Sequence, residues 1–299
     1  MTEATIHVIR RPQPASTASA ALRIAKAIPA GMVMSHLVLA AAAAVVLLPF
    51  VWMALTAMRP AADIFTQPFA LPTSIDGATD NFERAVTAAP TLMFMLNGLI
   101  VVLGVLVAQI VTAVPCAYAL AKLQFPGRTV LFGTVLLALC VPIQILMLPL
   151  FLALAGLHLL DTYAALMAPF LLSVFAIFLL RQHFVSYPDA IIEAARLDGM
   201  SEVEIILRLL VPSATPAIAA FAVFSATAHW NDLFWPMIVV SSTKMATPPL
   251  GLLFFRDGDA GANYGALMAA ATIMTAPLVA MFLVAQRQFI RGITTTGLR

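Results

Sequence analysis

Charge is what this chain has least of. Asp, Glu, Lys and Arg make up 10% of its 299 residues, against roughly 25% in a soluble domain. With 62% hydrophobic residues and a mean hydropathy of +0.99, an ordinary water-soluble globule is excluded. The net charge of +2 is too small to gather nucleic acid. Cysteine is nearly absent. Cys116 and Cys140 both stand in apolar runs and read as small buried hydrophobes, not as a disulfide or a metal pair. The five histidines are scattered, with no H-x-x-x-H and no C-x-x-C, so no metal site is expected. No G-x-x-x-x-G-K-[ST] loop is present, which excludes nucleotide binding in that manner. Neither H-E-x-x-H nor G-x-S-x-G occurs, and no catalytic residue is assigned. Charged groups in mid-membrane mark ion paths, but here the apolar runs are charged only near their ends, as at Lys122 and Arg181. A membrane-embedded enzyme and an ion-coupled secondary carrier therefore stand only as alternatives.

What the chain does have is long apolar runs, several beyond the length of about 18 residues that a membrane crossing requires. They lie at about 34–58, 91–122, 129–154, 163–184, 211–231 and 264–288. The expectation is an all-α membrane protein with six transmembrane helices spread over residues 33–299, preceded by a polar segment, 1–32. The first run is too long for the core of a signal peptide. Six crossings put both termini on one side. Lys and Arg divide twelve to four in favour of that side, while the acids divide six to eight. A bias confined to positive charge places the termini in the cytoplasm. The long outer loops are then 59–90 and about 236–263.

One polar stretch interrupts the apolar runs. Ser186–Pro216 carries Asp189, Glu193, Arg196, Asp198, Glu202, Glu204 and Arg208. Its grammar is helix, turn, helix. Pro188 suits a first helical position. Asp198-Gly199 reads as a stop, with Gly199 free to turn left-handed. Ser201 and Glu204 have the spacing of a capping box. Ala194 and Ala195 are small enough for another backbone to approach closely. Glu193 and Asp198 offer carboxylates to a basic partner. With no phosphate loop of its own, the chain must take any uphill energy from a partner, and this cytoplasmic insert is a surface able to receive one.

Glu193-Ala194-Ala195 with Gly199, followed by Pro212 and Pro216, closely resembles the EAA loop of permease subunits of bacterial ABC importers. Asn97, the run Ala117-Tyr118-Ala119-Leu120-Ala121, Pro142, Pro149, Trp230-Asn231-Asp232, Trp235-Pro236, Tyr264–Ala270 and Gln286–Gly292 are similar to the carbohydrate-uptake branch, of maltose-permease-G or glycerol-phosphate-permease-E type. The likeness runs from about Met34 onward. Met200 departs from it, since the family more often has a small residue there.

The resemblance implies a type I ABC importer permease fold with a cytoplasmic coupling helix, in the bacterial inner membrane. It implies a second permease subunit, two copies of a cytoplasmic ATPase that binds ATP and Mg, and an extracytoplasmic solute-binding protein. No cofactor belongs to the chain itself. By carry-over, Glu193, Ala194, Ala195, Asp198 and Gly199 meet the ATPase. Arg256, Asp257, Gly258 and Asp259 of the outer loop meet the binding protein. Asn97, Gln144, His229, Asn231 and Asp232 are candidates for a polar substrate path. The implied cargo is a sugar, oligosaccharide or glycerol conjugate.

Overall fold

The computed structural model describes residues 30–67, 70–72, 76–255 and 263–296. Every regular element among them is a helix. The chain divides into two units, Met1–Trp52 and Met53–Arg299. The first unit contributes most of helix α1 (Ala30–Ala57), which runs through Pro49 and is apolar enough to cross a membrane.

Beyond α1 come two polar helices, α2 (Asp63–Thr66) and α3 (Asp76–Thr87). Helix α4 (Thr91–Lys122) is the spine of the second unit. Its 32 residues give a length of about 48 Å, well over the roughly 30 Å of a hydrocarbon core. Its ends therefore reach polar surroundings. Helices α5 (Arg128–Leu139) and α6 (Ile143–Gly156) follow, then α7 (Tyr163–Phe170) and α8 (Val174–Val185). The polar insert holds α9 (Asp189–Leu197) and α10 (Glu202–Ser213), the latter containing a π-helical turn at Ile206–Leu210. The chain ends with α11 (Thr215–Trp230), α12 (Phe234–Val239), α13 (Pro248–Leu253) and α14 (Tyr264–Thr296).

Three of the expected spans are unbroken: Gly31–Ala57, Thr91–Lys122 and Tyr264–Val284. The others are bent pairs. Helices α5 and α6 meet at 96°, α7 and α8 at 45°, α10 and α11 at 77°. The single third and fourth spans expected from the apolar runs are thus corrected to broken ones. Hydropathy is blind to a bend whose flanks are equally apolar. At the first break, Pro142 takes an extended backbone and forms the N-cap of α6, where a missing N–H costs nothing.

Helix α4 packs against α7, α8, α11 and α13, and α14 packs on α11 and α3. Cys116 and Cys140 are corrected too: both are exposed.

The core that positions the insert lies at the C-terminal end of α4. Ala113, Ala117 and Tyr118 of α4 join Ile177, Leu180 and Phe184 of α8, Ile192 and Ala195 of α9, and Ile205 and Leu210 of α10. The apolar faces of the two insert helices are thereby part of the same core as the spans.

Candidate functional site

A helix ends in unpaired carbonyls and a partial negative charge. At the end of α4 two arginines answer both. Arg128 donates from Nε to Leu120 O (2.9 Å), from Nη2 to Ala121 O (2.9 Å) and from Nη1 to Leu123 O (3.2 Å). Arg181 of α8 donates to Leu120 O (3.1 Å) while its guanidinium lies 3.6 Å from the centre of the Phe132 ring. Lys122, its side chain only 5% exposed, donates to Tyr187 O (2.6 Å) and pairs with Asp189 at the start of α9. That lysine holds the Asp189 carboxyl below the ordinary carboxylate range.

The insert folds largely as its sequence directs. Pro188 stands one place before the helix, as N-cap, so α9 opens on Asp189. Gly199 is left-handed, with φ +83°. Around it Met200 N–H donates to Ala195 O (3.0 Å) and Gly199 N–H to Arg196 O (3.1 Å). These two bonds are those of a Schellman close, which favours an apolar residue just past the glycine. Met200 supplies it, packed against the core, which gives its departure from a small residue a physical reason. The capping box is complete: Ser201 Oγ accepts from Glu204 N–H (3.3 Å), and Ser201 N–H donates to Glu204 Oε2 (3.0 Å).

Helix α9 presents two faces. Ile192 and Ala195 point into the core. Glu193, Ala194, Leu197, Asp198 and Gly199 are exposed, Leu197 at 90%. The two alanines therefore divide. Ala194 is available to a partner, whereas Ala195 lets the insert lie close to its own spans. The exposed face is extended along α10 by Val203 and Leu207.

The elbow between the insert helices is closed by three side chains. Arg196 forks onto Glu202, from Nε to Oε1 (2.8 Å) and from Nη2 to Oε2 (3.2 Å). The same Nη2 donates to the Tyr118 hydroxyl (3.1 Å), and that hydroxyl donates to Glu202 Oε2. Tyr118 is 2% exposed. Arg196 first, and then Tyr118, hold the Glu202 carboxyl below its usual range. The sequence marked Tyr118 only as part of the Ala117–Ala121 run that resembles the carbohydrate-uptake branch; nothing in it pointed to Arg196 and Glu202 as its partners.

Midway along α4, Gln109 is 4% exposed and fully engaged. Its Nε2 donates to Phe170 O (2.9 Å) and lies 3.3 Å from His229 Nε2, and its Oε1 accepts from Ser225 Oγ (2.6 Å). Beside it lies a cavity of about 350 Å³ lined by Gln109, Ser173, Phe175, Phe221, Phe224, Ser225, Ala228 and His229. Of the five path candidates, His229 alone lines this cavity. Asn97, 2% exposed, clamps the far end instead. It donates to Lys244 O (2.8 Å) and Ala246 O (2.9 Å) and accepts from the Tyr163 hydroxyl (2.6 Å). Gln144 is exposed just past the α5–α6 bend. Asn231 is exposed and bonds its own helix at Thr227 O (2.9 Å). Asp232 accepts the N–H groups of Phe234 (3.1 Å) and Trp235 (3.3 Å), capping α12. No role was assigned from the sequence to Gln109, Ser173 or Ser225, isolated polar residues among apolar ones. Arg256, Asp257, Gly258 and Asp259 lie outside the described residues.

At the far end Asp161 ties two loops together. Its N–H donates to Val239 O (2.8 Å), and its carboxylate accepts from Ser241 N–H (3.1 Å) and Ser242 N–H (3.0 Å). Burial pushes its carboxyl up, but the bonds from Ser242 and Ser241 outweigh that and leave it below its ordinary value.

Residues 100–295 match the family described as binding-protein-dependent transport system inner membrane component. The arabinooligosaccharides transport system permease protein AraQ of Bacillus subtilis (strain 168) is 34% identical over 206 residues, covering 69% of this chain and 73% of the relative. The sn-glycerol-3-phosphate transport system permease protein UgpE of Salmonella typhimurium is 31% identical over 209 residues, covering 70% and 74%. A chain from the crystal structure of a bacterial ABC transporter involved in the import of the acidic polysaccharide alginate superposes with a TM-score of 0.75 at 22% identity, covering 93% of this chain and 100% of that one.

Proposed function

Because the chain belongs to the family of binding-protein-dependent transport system inner membrane components, we propose that the Ser186–Pro216 insert is its coupling element. The chain is an inner-membrane permease subunit of an ABC importer and not an enzyme. Membership implies an ATPase and a solute-binding protein as partners. Our assembly has two permease subunits and two ATPases, with ATP and Mg held by the latter. The termini and the insert face the cytoplasm, in keeping with the twelve-to-four division of Lys and Arg.

The observation that carries this reading is the divided face of α9. One side is built into the core of the spans through Ile192 and Ala195. The other leaves Glu193, Ala194, Leu197 and Asp198 exposed. A partner seated on the exposed side moves the spans through the buried one. ATP can drive transport only if the ATPases bind the two states of the permease with different affinity, and this surface is where that difference is felt.

The cargo is a sugar, oligosaccharide or glycerol conjugate. The named cargoes of the relatives support this class. So does the cavity beside Gln109, where aromatic rings and hydroxyl, amide and imidazole groups converge. His229 is the path residue retained there. Arg256–Asp259 in the outer loop contact the solute-binding protein.

Glu193→Lys reverses the charge that the ATPase meets and leaves the core untouched. We expect the variant to reach the membrane and to lose ATPase co-purification and uptake. Retention of both at wild-type level would remove the coupling assignment.

A further inference from the structure

We propose that Tyr118 is the positioning residue through which the insert grips helix α4, so that the insert and α4 move as one body while other helices shift against them. This rests on the coupling reading of the insert.

The insert is joined to the spans by chain links that are themselves bends. At one end the link is the turn Ser186–Pro188 between α8 and α9. At the other it is the 77° break between α10 and α11. Both links change the direction of the chain, so neither carries a push along one straight helix. The side-chain grip on α4 is different. Lys122 holds the first turn of α9 through Tyr187 O and Asp189. Tyr118 holds the opposite end of α9 through Arg196 and the first turn of α10 through Glu202. One hydroxyl thus clamps both arms of the elbow, at the point where Gly199 gives the backbone its turn.

The proton inventory closes. The guanidinium donates to the phenol oxygen and to both carboxylate oxygens. The phenol donates its own proton to the carboxylate. The Tyr118 ring is packed among the apolar side chains that carry both insert helices. Without its hydroxyl the Arg196–Glu202 pair remains, but it is a half-exposed pair on the insert alone, with 39% and 46% of each side chain accessible. Such a pair holds little by itself and has no polar hold on α4.

What α4 then carries is visible along its length. Beyond Tyr118 it holds Gln109 at the cavity and Asn97 at the far loop. A displacement of the insert reaches both through one continuous helix.

The test uses the complete transporter in nanodiscs, with Cys116 and Cys140 replaced by Ser. Spin labels go on Arg208→Cys of α10 and Val111→Cys of α4, both exposed positions. Their separation is measured without nucleotide and with ATP trapped by vanadate. We expect the same narrow distance in both states. Tyr118→Phe should broaden or split the distance in the trapped state. It should also lower the ratio of binding-protein-stimulated to basal ATP hydrolysis by about tenfold or more, the loss of a hydrogen bond to a charged group. Glu202→Gln, which keeps the shape, should do the same more weakly. It decides the matter by the same outcomes if Tyr118→Phe does not assemble. A separation that changes between states in the unmutated elbow, or one left narrow by Tyr118→Phe or Glu202→Gln, overturns the proposal. ATPase co-purification with Glu193→Lys, scored in parallel, tests the coupling reading itself and fails independently of the label distances.

Discussion

Gly199 sits at φ +83° with nothing within 4 Å of where a Cβ would stand. The demand there is on the backbone alone, since an added side chain meets no obstacle. Substitutions should therefore rank by their tolerance of the left-handed region, not by size. Gly199→Asn is expected to be mild, Gly199→Ala to cost about 1 kcal/mol and Gly199→Val more. Thermal unfolding and coupled ATP hydrolysis of the assembled transporter check this ranking. Equal effects for Asn and Val would mean that the turn does not govern the insert. Glu202 makes a second prediction. Its carboxyl is held below the ordinary range by Arg196 and then Tyr118. A depressed folded value means that stability is present above the unfolded value, about 4.3, and is lost as pH falls through the folded one. Stability of the elbow should thus be flat from pH 8 to about 5 and decline below about 4. In Glu202→Gln that contribution to the acid limb should be missing; an unchanged limb would place the titration elsewhere.

At the scale of elements, α9 is too short to stand alone. It has nine residues, below the length at which isolated helices persist in water. Its stability is borrowed from Ile192 and Ala195 in the shared core. Ile192→Ala should cost about 2–4 kcal/mol and loosen the insert. Leu197→Ala, at a position 90% exposed, should leave stability unchanged and weaken ATPase binding. Unfolding midpoints and co-purification yield separate the two, and a stability loss at Leu197 would contradict the facing of the helix. The insert was legible in the sequence because its signals are local. Asp198-Gly199 and the Ser201–Glu204 box act over a few residues. The breaks between α5 and α6 and between α7 and α8 were not legible. Their apolar flanks continue without interruption, and the direction of a helix leaves no trace in hydropathy. Burial of the cysteines was misjudged for a related reason: in an apolar run, inward and outward faces are equally greasy.

Over the whole molecule, α4 is long enough to connect both polar ends. The end opposite the insert is fastened by Asn97 to the loop at Lys244 and Ala246. The loop that follows holds the proposed contact with the binding protein. Deleting part of Asp257–Ala262 is expected to abolish uptake and stimulation by the binding protein while basal ATP turnover persists. Loss of assembly in that variant would make the loop a structural part instead.

Composition and local pattern determined that the chain belongs in a membrane, that its apolar runs allow up to six crossings and where its one long polar insert lies. Those properties depend on solvation and short-range hydrogen bonding, which are written residue by residue. Only the tertiary structure decided which alanine stays exposed, which amide clamps a loop and which lines a cavity, and that a tyrosine closes the elbow. Each of those depends on what distant segments bring into contact, here across separations of 84 residues for Tyr118 and Glu202 and 116 for Gln109 and Ser225.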